Sequence, residues 1–452
     1  MSSAARSAQD DLPGLAALAA LLRAQQCSAA ELLQSCSARR VPERGAYLYW
    51  ADAEAKERAR AADAAFAAGV DAGPLQGIPV SLKDMYAVSG MPLTAGSPRT
   101  LPAPLNIEGP LVAALHQQQA VITGKTHTVE FAFGALGTNP HWGPARNPLD
   151  PERAAGGSSS GAAVSIAEGS ALLALGTDTS GSIRIPAAMT GTAALKLTHG
   201  RWSLAGVVPL SPSLDSPGLI ARSAADLAYG FAALDAHSAE PPAPLSSLAG
   251  VTFGVPRTFF RADGSPGVLD AVDAAIARLM AAGAEIRPLE LPGADDAWQL
   301  LRAGGLAAPE FDAWLSEQAP AWRETLDPAV ARRVAAASGM SARDYIVRVQ
   351  QHRALAANAD PVMRGVDALL TPTVAIHPPR LADLDDPDHY AERNLLAMRN
   401  TVVANFLGLC AASLPAGRDA IGMPVGLQLL AAGGTEERLL AVVQAVENVL
   451  AQ

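Results

Sequence analysis

GIPVSLKD at residues 77–84 is followed by LVAALHQQ at 111–118 and AVITGK at 120–125. Two short apolar runs flank a segment with helical spacing, and that alternation predicts an α/β fold with a largely parallel sheet. Between Pro140 and Arg184 a long stretch of Gly, Ser, Asn and Pro is interrupted by AVSIAEG (163–169) and ALLALG (171–176), which read as loop, helix, strand, loop. ALLALG is bounded by turn formers, so it fits a buried strand that delivers TDTSGS (177–182) to one edge of the sheet.

Upstream, residues 11–70 read as a helical layer. Ser28 and Glu31 form a capping-box pattern, and Ala51 to Gly69 is an alanine-rich helix ending at glycine. Downstream, HSAEPPAPLSS (237–247) has linker composition without marking a domain boundary. VTFGVP (251–256), AEIRPLEL (284–291), DALLTPTV (367–374) and MPVGLQLL (423–430) read as strands, and LDAVDAAIARLMAAG (269–283) and LLAMRNTVVANFLGL (395–409) as helices. Helices dominate from 296 to 365. A last helix, Glu436 to Leu450, places Leu439, Val443, Val446 and Leu450 on one face. No fixed-period repeat is present.

The 452 residues are 49% hydrophobic and 17% charged, the composition of a soluble globular protein. A formal charge of -10 disfavours nucleic acid and anionic membrane surfaces, and makes a small neutral molecule the easier partner. Cys27, Cys36 and Cys410 are odd in number and scattered, which argues against a disulfide framework and for a reducing compartment. The first ten residues lack a secretory pattern, and LAALAALL (15–22) is too short to span a bilayer, so the cytoplasm is expected.

GGSSSGAA (156–163) admits three readings. Its GxxxxG spacing imitates a phosphate-binding loop, but Ala162 and Ala163 stand where Lys and Ser/Thr are required. Gly157, Ser159 and Gly161 make a formal G-x-S-x-G elbow of an esterase, yet NPLDPERAA precedes it where an apolar strand is needed. Such an enzyme would draw its histidine from His352, His377 or His389. The third reading joins the loop to GTDTSGSIRIPA (176–187), where a buried strand does precede a turn of small residues. Ser182 would then be presented among free backbone N–H groups able to polarise a carbonyl.

With GIPVSLKD, these two segments resemble the amidase signature family, whose pattern is approximately a GGSSGG loop followed by GTDxGGSIRxPA. The resemblance covers about 77–236, includes NPxDP before the first loop and GLIARSAADLA (218–228) after the second, and continues in GMPVGLQLL (422–430). It implies a single α/β/α domain around a large mixed sheet, with the variable helical insert at 296–365 choosing the substrate.

Carried over by position, the resemblance makes Lys83 the catalytic base, Ser158 the bridging serine and Ser182 the nucleophile. The backbone N–H groups of Thr179, Ser180, Gly181 and Ser182 become the oxyanion hole, and the peptide bond before Ser158 is expected to be cis. Burial can lower a lysine from about 10.4 by several units, so neutral Lys83 could accept a proton through Ser158 without any histidine. Asp178 and Arg184 are expected to brace the loop, with Ser159 in support. Met85, Tyr86, Phe131 and Phe133 are candidate substrate contacts.

Ser160 and Ser180 stand where the family usually has glycine, which would alter the loops if either position needed positive φ. His127 and Glu130 are spaced for one helical face, but no third ligand accompanies them, so no metal is expected. The implied function is hydrolysis of an amide C–N bond, or of an ester or carbamate, without a cofactor, by a monomer or homodimer. The competing reading is the A-type component of a tRNA-dependent amidotransferase, which shares this core and acts with partners.

Overall fold

The computed structural model describes residues 12–238 and 240–451. The first ten residues, read above for a leader, lie outside them. Among the described residues eleven strands form one sheet. They are β1 (Tyr47–Trp50), β2 (Pro79–Lys83), β3 (Val121–Thr126), β4 (Leu173–Asp178), β5 (Ala193–Lys196), β6 (Ser216–Ala221), β7 (Thr252–Pro256), β8 (Glu285–Leu289), β9 (Ala368–Pro372), β10 (Cys410–Arg418) and β11 (Pro424–Ala431). Their order across the sheet is β1-β3-β2-β4-β6-β5-β10-β11-β9-β7-β8.

The sheet is mixed, as expected, but parallel pairing is confined to its flanks. β2 runs parallel to β3 and β4, and β7 to β8 and β9. In the centre β4, β6, β5, β10, β11 and β9 pair antiparallel. The reason lies in the connections: β10 and β11 are joined by a short turn, which only an antiparallel pair permits. Helices cover both faces. Leu173, Leu175, Leu195 and Leu219 pack with the helices Ala224–Leu234, Val268–Ala281 and Glu436–Ala451. Their alternate neighbours Ala174, Ala194 and Ile220 pack with the helices Ser160–Glu168 and Arg184–Thr190. Burial on both sides explains why β2 and β4 read as short apolar runs.

Two expectations change. The stretch read as wholly helical contains β1, whose YLYW composition suits a strand and pairs antiparallel with β3. Helices Leu15–Arg23, Ala29–Arg39 and Asp52–Ala67 surround it, the second with its Ser28/Glu31 capping box formed. The helix read over 395–409 is in fact two, Pro387–Met398 and Val402–Phe406. Thr401, at the break, turns its hydroxyl to Ser180 O (2.6 Å), a long-range contact that periodicity cannot show.

The region 296–365 is helical as read, in Ala294–Arg302, Ala307–Gln318, Pro328–Ala337 and Ala342–Met363. It lies between β8 and β9. In the last helix Leu439, Val443 and Val446 are buried and Leu450 packs at the margin of the same core.

Candidate active site

Lys83 closes β2 at the end nearest the glycine-rich loops and is fully buried. Its Nζ lies 2.8 Å from Ser158 Oγ, 2.7 Å from Thr177 Oγ1 and 3.4 Å from Thr177 O. No carboxylate forms an ion pair with it among the described residues. Burial therefore dominates and lowers the amine to about 7, with Asp215 and Asp178 at longer range opposing the fall. Two other buried lysines show the contrast. Lys125 is paired with Asp84 (2.6 Å), and Lys196 is held by the carbonyls of Leu197 and Leu409. Only Lys83 of the three touches a loop serine.

Ser158 is fully buried, and the peptide bond before it is cis. The helix that follows begins at Ser160 with Ser159 as its cap residue, so Ser158 is not a helix cap. Gly156, at φ 78°, could not carry a side chain, because a Cβ there would lie 2.9 Å from Pro186 Cα. Ser160 and Ser180 are not among the positive-φ residues, which removes the concern about serine at those positions. Ser160 Oγ instead sits 2.9 Å from His127 Nδ1.

Ser182 ends the turn that leaves β4 and lines a cavity of about 390 Å³. Its carbonyl accepts from Ser159 N–H (3.0 Å), which holds the two serine loops side by side. Among the described residues no hydrogen bond joins Ser182 Oγ to Ser158; the Lys83–Ser158 half of the expected proton path is formed and the second half is open. Ser159 Oγ is buried and donates to Thr177 O (3.2 Å). No histidine hydrogen-bonds to it among the described residues, and its hydroxyl lies away from the cavity, so the elbow reading has no support in the geometry.

The turn is braced as expected, and by more than the sequence indicated. Arg184 binds both oxygens of Asp178 (Nη2–Oδ1 2.9 Å, Nε–Oδ2 3.0 Å), and also Thr401 O, Gln428 Oε1 and Asn405 Oδ1. Arg184 overcomes the burial of Asp178 and holds its carboxyl well below the usual range. Gly181 adopts φ 124°, and a Cβ there would meet Thr401 Oγ1 at 2.1 Å. Gly181 N–H donates to Asp178 Oδ1 (2.7 Å), which removes it from the four expected oxyanion donors. The N–H groups of Thr179, Ser180 and Ser182 make no hydrogen bond among the described residues.

The cavity corrects several substrate contacts. Phe133 lines it, beside Ala132 and Gly134. Phe131 does not; it is buried against Phe311 and Trp314 in an apolar cluster that also contains Met85. Tyr86 is buried and donates from its hydroxyl to Gly176 O (2.8 Å). These side chains are too apolar, or too well satisfied inside, to face solvent. The rest of the wall comes from the helical region, including Leu301, Leu306, Ala336, Met340 and three arginines, Arg302, Arg333 and Arg348. Sequence reading also missed Thr177 and Asp215. Thr177 lies in the quoted loop. Asp215 accepts from Thr179 Oγ1 and from the Leu210 and Ser211 N–H groups, and burial raises it to about 6.

His127 follows β3 and Glu130 lies in a separate short turn, so they do not share a helical face. Burial keeps His127 neutral, lowered to about 4. No group of three metal-ligating side chains exists among the described residues.

A large mixed sheet, a buried lysine bonded to one serine-rich loop and a second serine-rich loop lining a cavity define an enzyme of the amidase type, acting on carbon–nitrogen bonds. The family model described as Amidase matches residues 31–440, and the chain belongs to that family. It is 47% identical to the 2-amino-5-chloromuconic acid deaminase of Comamonas testosteroni, over 97% of this chain and 96% of that protein. It is 32% identical to the A-type component of the glutamyl-tRNA(Gln) amidotransferase of Geobacter sp. (strain M21), over 89% of each. A crystal structure of an amidase superposes with a TM-score of 0.87 at 32% identity, covering 96% of this chain and 99% of that one.

Proposed function

We propose that this chain hydrolyses a C–N bond through an acyl-enzyme on Ser182, with Ser158 as relay and Lys83 as base. The observation that carries the reading is the contact between Lys83 Nζ and Ser158 Oγ in a site where burial favours the neutral amine. In this reading the Ser182 side chain turns from the cavity toward Ser158, whose loop is held beside it by the Ser159 N–H bond to Ser182 O. Ser182 Oγ then bonds to the carbonyl carbon while its proton passes to Ser158 and the Ser158 proton to Lys83. The oxyanion is received by the N–H groups of Thr179, Ser180 and Ser182. Collapse breaks the C–N bond, and the proton returns through Ser158 to the leaving nitrogen. Water repeats the attack and releases the acid. Esters and carbamates present the same tetrahedral chemistry.

The relatives divide between a deaminase and amidotransferase components. The greater identity to the deaminase supports the hydrolase reading over the amidotransferase one. Among the described residues no helix is long and apolar enough to cross a membrane, and Cys27, Cys36 and Cys410 are free thiols, which suits the cytoplasm in this reading. The test is ammonia release by the purified chain from a panel of primary amides, with esters and carbamates alongside, in the absence of glutamine and other proteins. Turnover is expected; strict dependence on a partner would replace the hydrolase reading with the amidotransferase one.

A further inference from the structure

We infer that the substrate carries a carboxylate, and that Arg333 receives it in the cavity bordered by Ser182. This rests on the hydrolase reading of that cavity and names its substrate class. The chain has a net charge of -10, yet Arg302, Arg333 and Arg348 line this cavity and none forms an ion pair among the described residues. Guanidinium groups cannot lose their charge at any working pH, so three of them lining one cavity favour an anionic ligand there.

The three arginines differ. Arg348 is engaged with the backbone: Nη1 donates to Gly305 O (2.9 Å) and Nη2 to Ala303 O (2.6 Å), so it fixes the turn that closes the cavity wall. Arg302 is exposed at the end of the helix Ala294–Arg302 and acts at the rim. Arg333 is half-buried on the helix Pro328–Ala337. One of its N–H groups donates to Phe133 O, and its guanidinium lies 5.3 Å from the centre of the Phe133 ring. Those contacts orient the fork while its remaining N–H groups find no hydrogen-bond partner among the described residues, the arrangement that suits two-pronged binding of a planar carboxylate. The wall around it is largely apolar, with Leu301, Ala336 and Met398, which suits a short hydrocarbon chain between that carboxylate and the amide. A cavity of about 390 Å³ is at the small end for ligand sites. The neutral substrate expected from net charge gives way to an anionic one, because the local field differs in sign from the total.

Binding and turnover are measured together, with succinamate and glutaramate as the acids and butyramide and valeramide as neutral counterparts. By titration calorimetry, Arg333→Gln is expected to bind both acids about tenfold or more weakly than wild type. Its affinity for the neutral amides should stay within about twofold, and Arg333→Lys should recover part of the loss. In turnover with acids, the loss should appear in KM more than in kcat. Acids that bind wild type no better than neutral amides overturn the inference, as does an equal loss for both classes in Arg333→Gln, which would make Arg333 a brace for Phe133. Because calorimetry needs no chemistry, absence of turnover with retained acid selectivity would overturn only the hydrolase reading.

Discussion

Lys83, Lys125 and Lys196 are all buried, and their partners decide what each can do. Lys125 has Asp84 and Lys196 has two carbonyls, whereas Lys83 meets two hydroxyls and a carbonyl. With its amine lowered to about 7, only the fraction deprotonated above that pH can take a proton. The profile of kcat/KM is therefore expected to rise about tenfold per pH unit below about 7 and to level above it. Asp215 holds the amine up, so Asp215→Asn should move this limb toward lower pH; a shift the other way would remove Asp215 from the electrostatics of the site. Lys83→Met should cost about 10²–10⁴-fold in turnover, and Lys83→Arg should not rescue it, because a guanidinium keeps its proton. Linkage gives stability the opposite sense. Unfolded lysine titrates near 10.5 and the folded one near 7, so the native state gains stability as pH rises between them. Lys83→Met should then melt no lower than wild type, with its greatest relative gain at pH 7 and below.

At the scale of elements, the turn after β4 is a rigid unit held from three sides: Arg184 on its own helix, Thr401 at the helix break, and Gln428 on β11. Arg184→Met leaves Asp178 buried and unpaired, and should cost about 3–5 kcal/mol by denaturant unfolding. Gly181→Ala meets both the backbone requirement of φ 124° and the 2.1 Å approach to Thr401, so activity should vanish. Normal turnover in Gly181→Ala would show that the turn is free to rearrange. Most of this unit was legible, since a strand followed by TDTSGSIR announces both the turn and its charged pair. Thr401, Asn405 and Gln428 were not: each lies more than 200 residues away, and only the folded sheet brings it near.

Over the whole molecule, the sheet positions Lys83 and the turn that carries Ser182, and the helices of 294–363 supply much of the cavity wall. The sequence reading found the strands β2, β3 and β4 because burial on both faces makes them short apolar runs. It overlooked β1, set among helices, β6 and β10, and β5, whose four residues, AALK, give no period to detect. The family resemblance supplied Lys83, Ser158 and Ser182 as candidates, but side-chain direction could not be read from the sequence, so Met85, Tyr86 and Phe131 were placed at the cavity when they lie behind it. Arg302, Arg333 and Arg348 sat unremarked in a helical stretch, where an arginine ordinarily faces solvent. The division of labour can be checked with Ala336→Trp, which enlarges an exposed wall residue. KM for long acyl chains should rise about tenfold while the shortest amides change less than about threefold. An equal change for both would place the acyl site elsewhere.

The most direct measurement is covalent. A fluorophosphonate probe reacted with wild-type protein, followed by peptide mass mapping, should place the adduct on Ser182, with Ser182→Ala unlabelled and Lys83→Met labelled far more slowly. An unlabelled wild type, or an adduct that persists on Ser159 when Ser182 is replaced, would contradict a nucleophile at position 182.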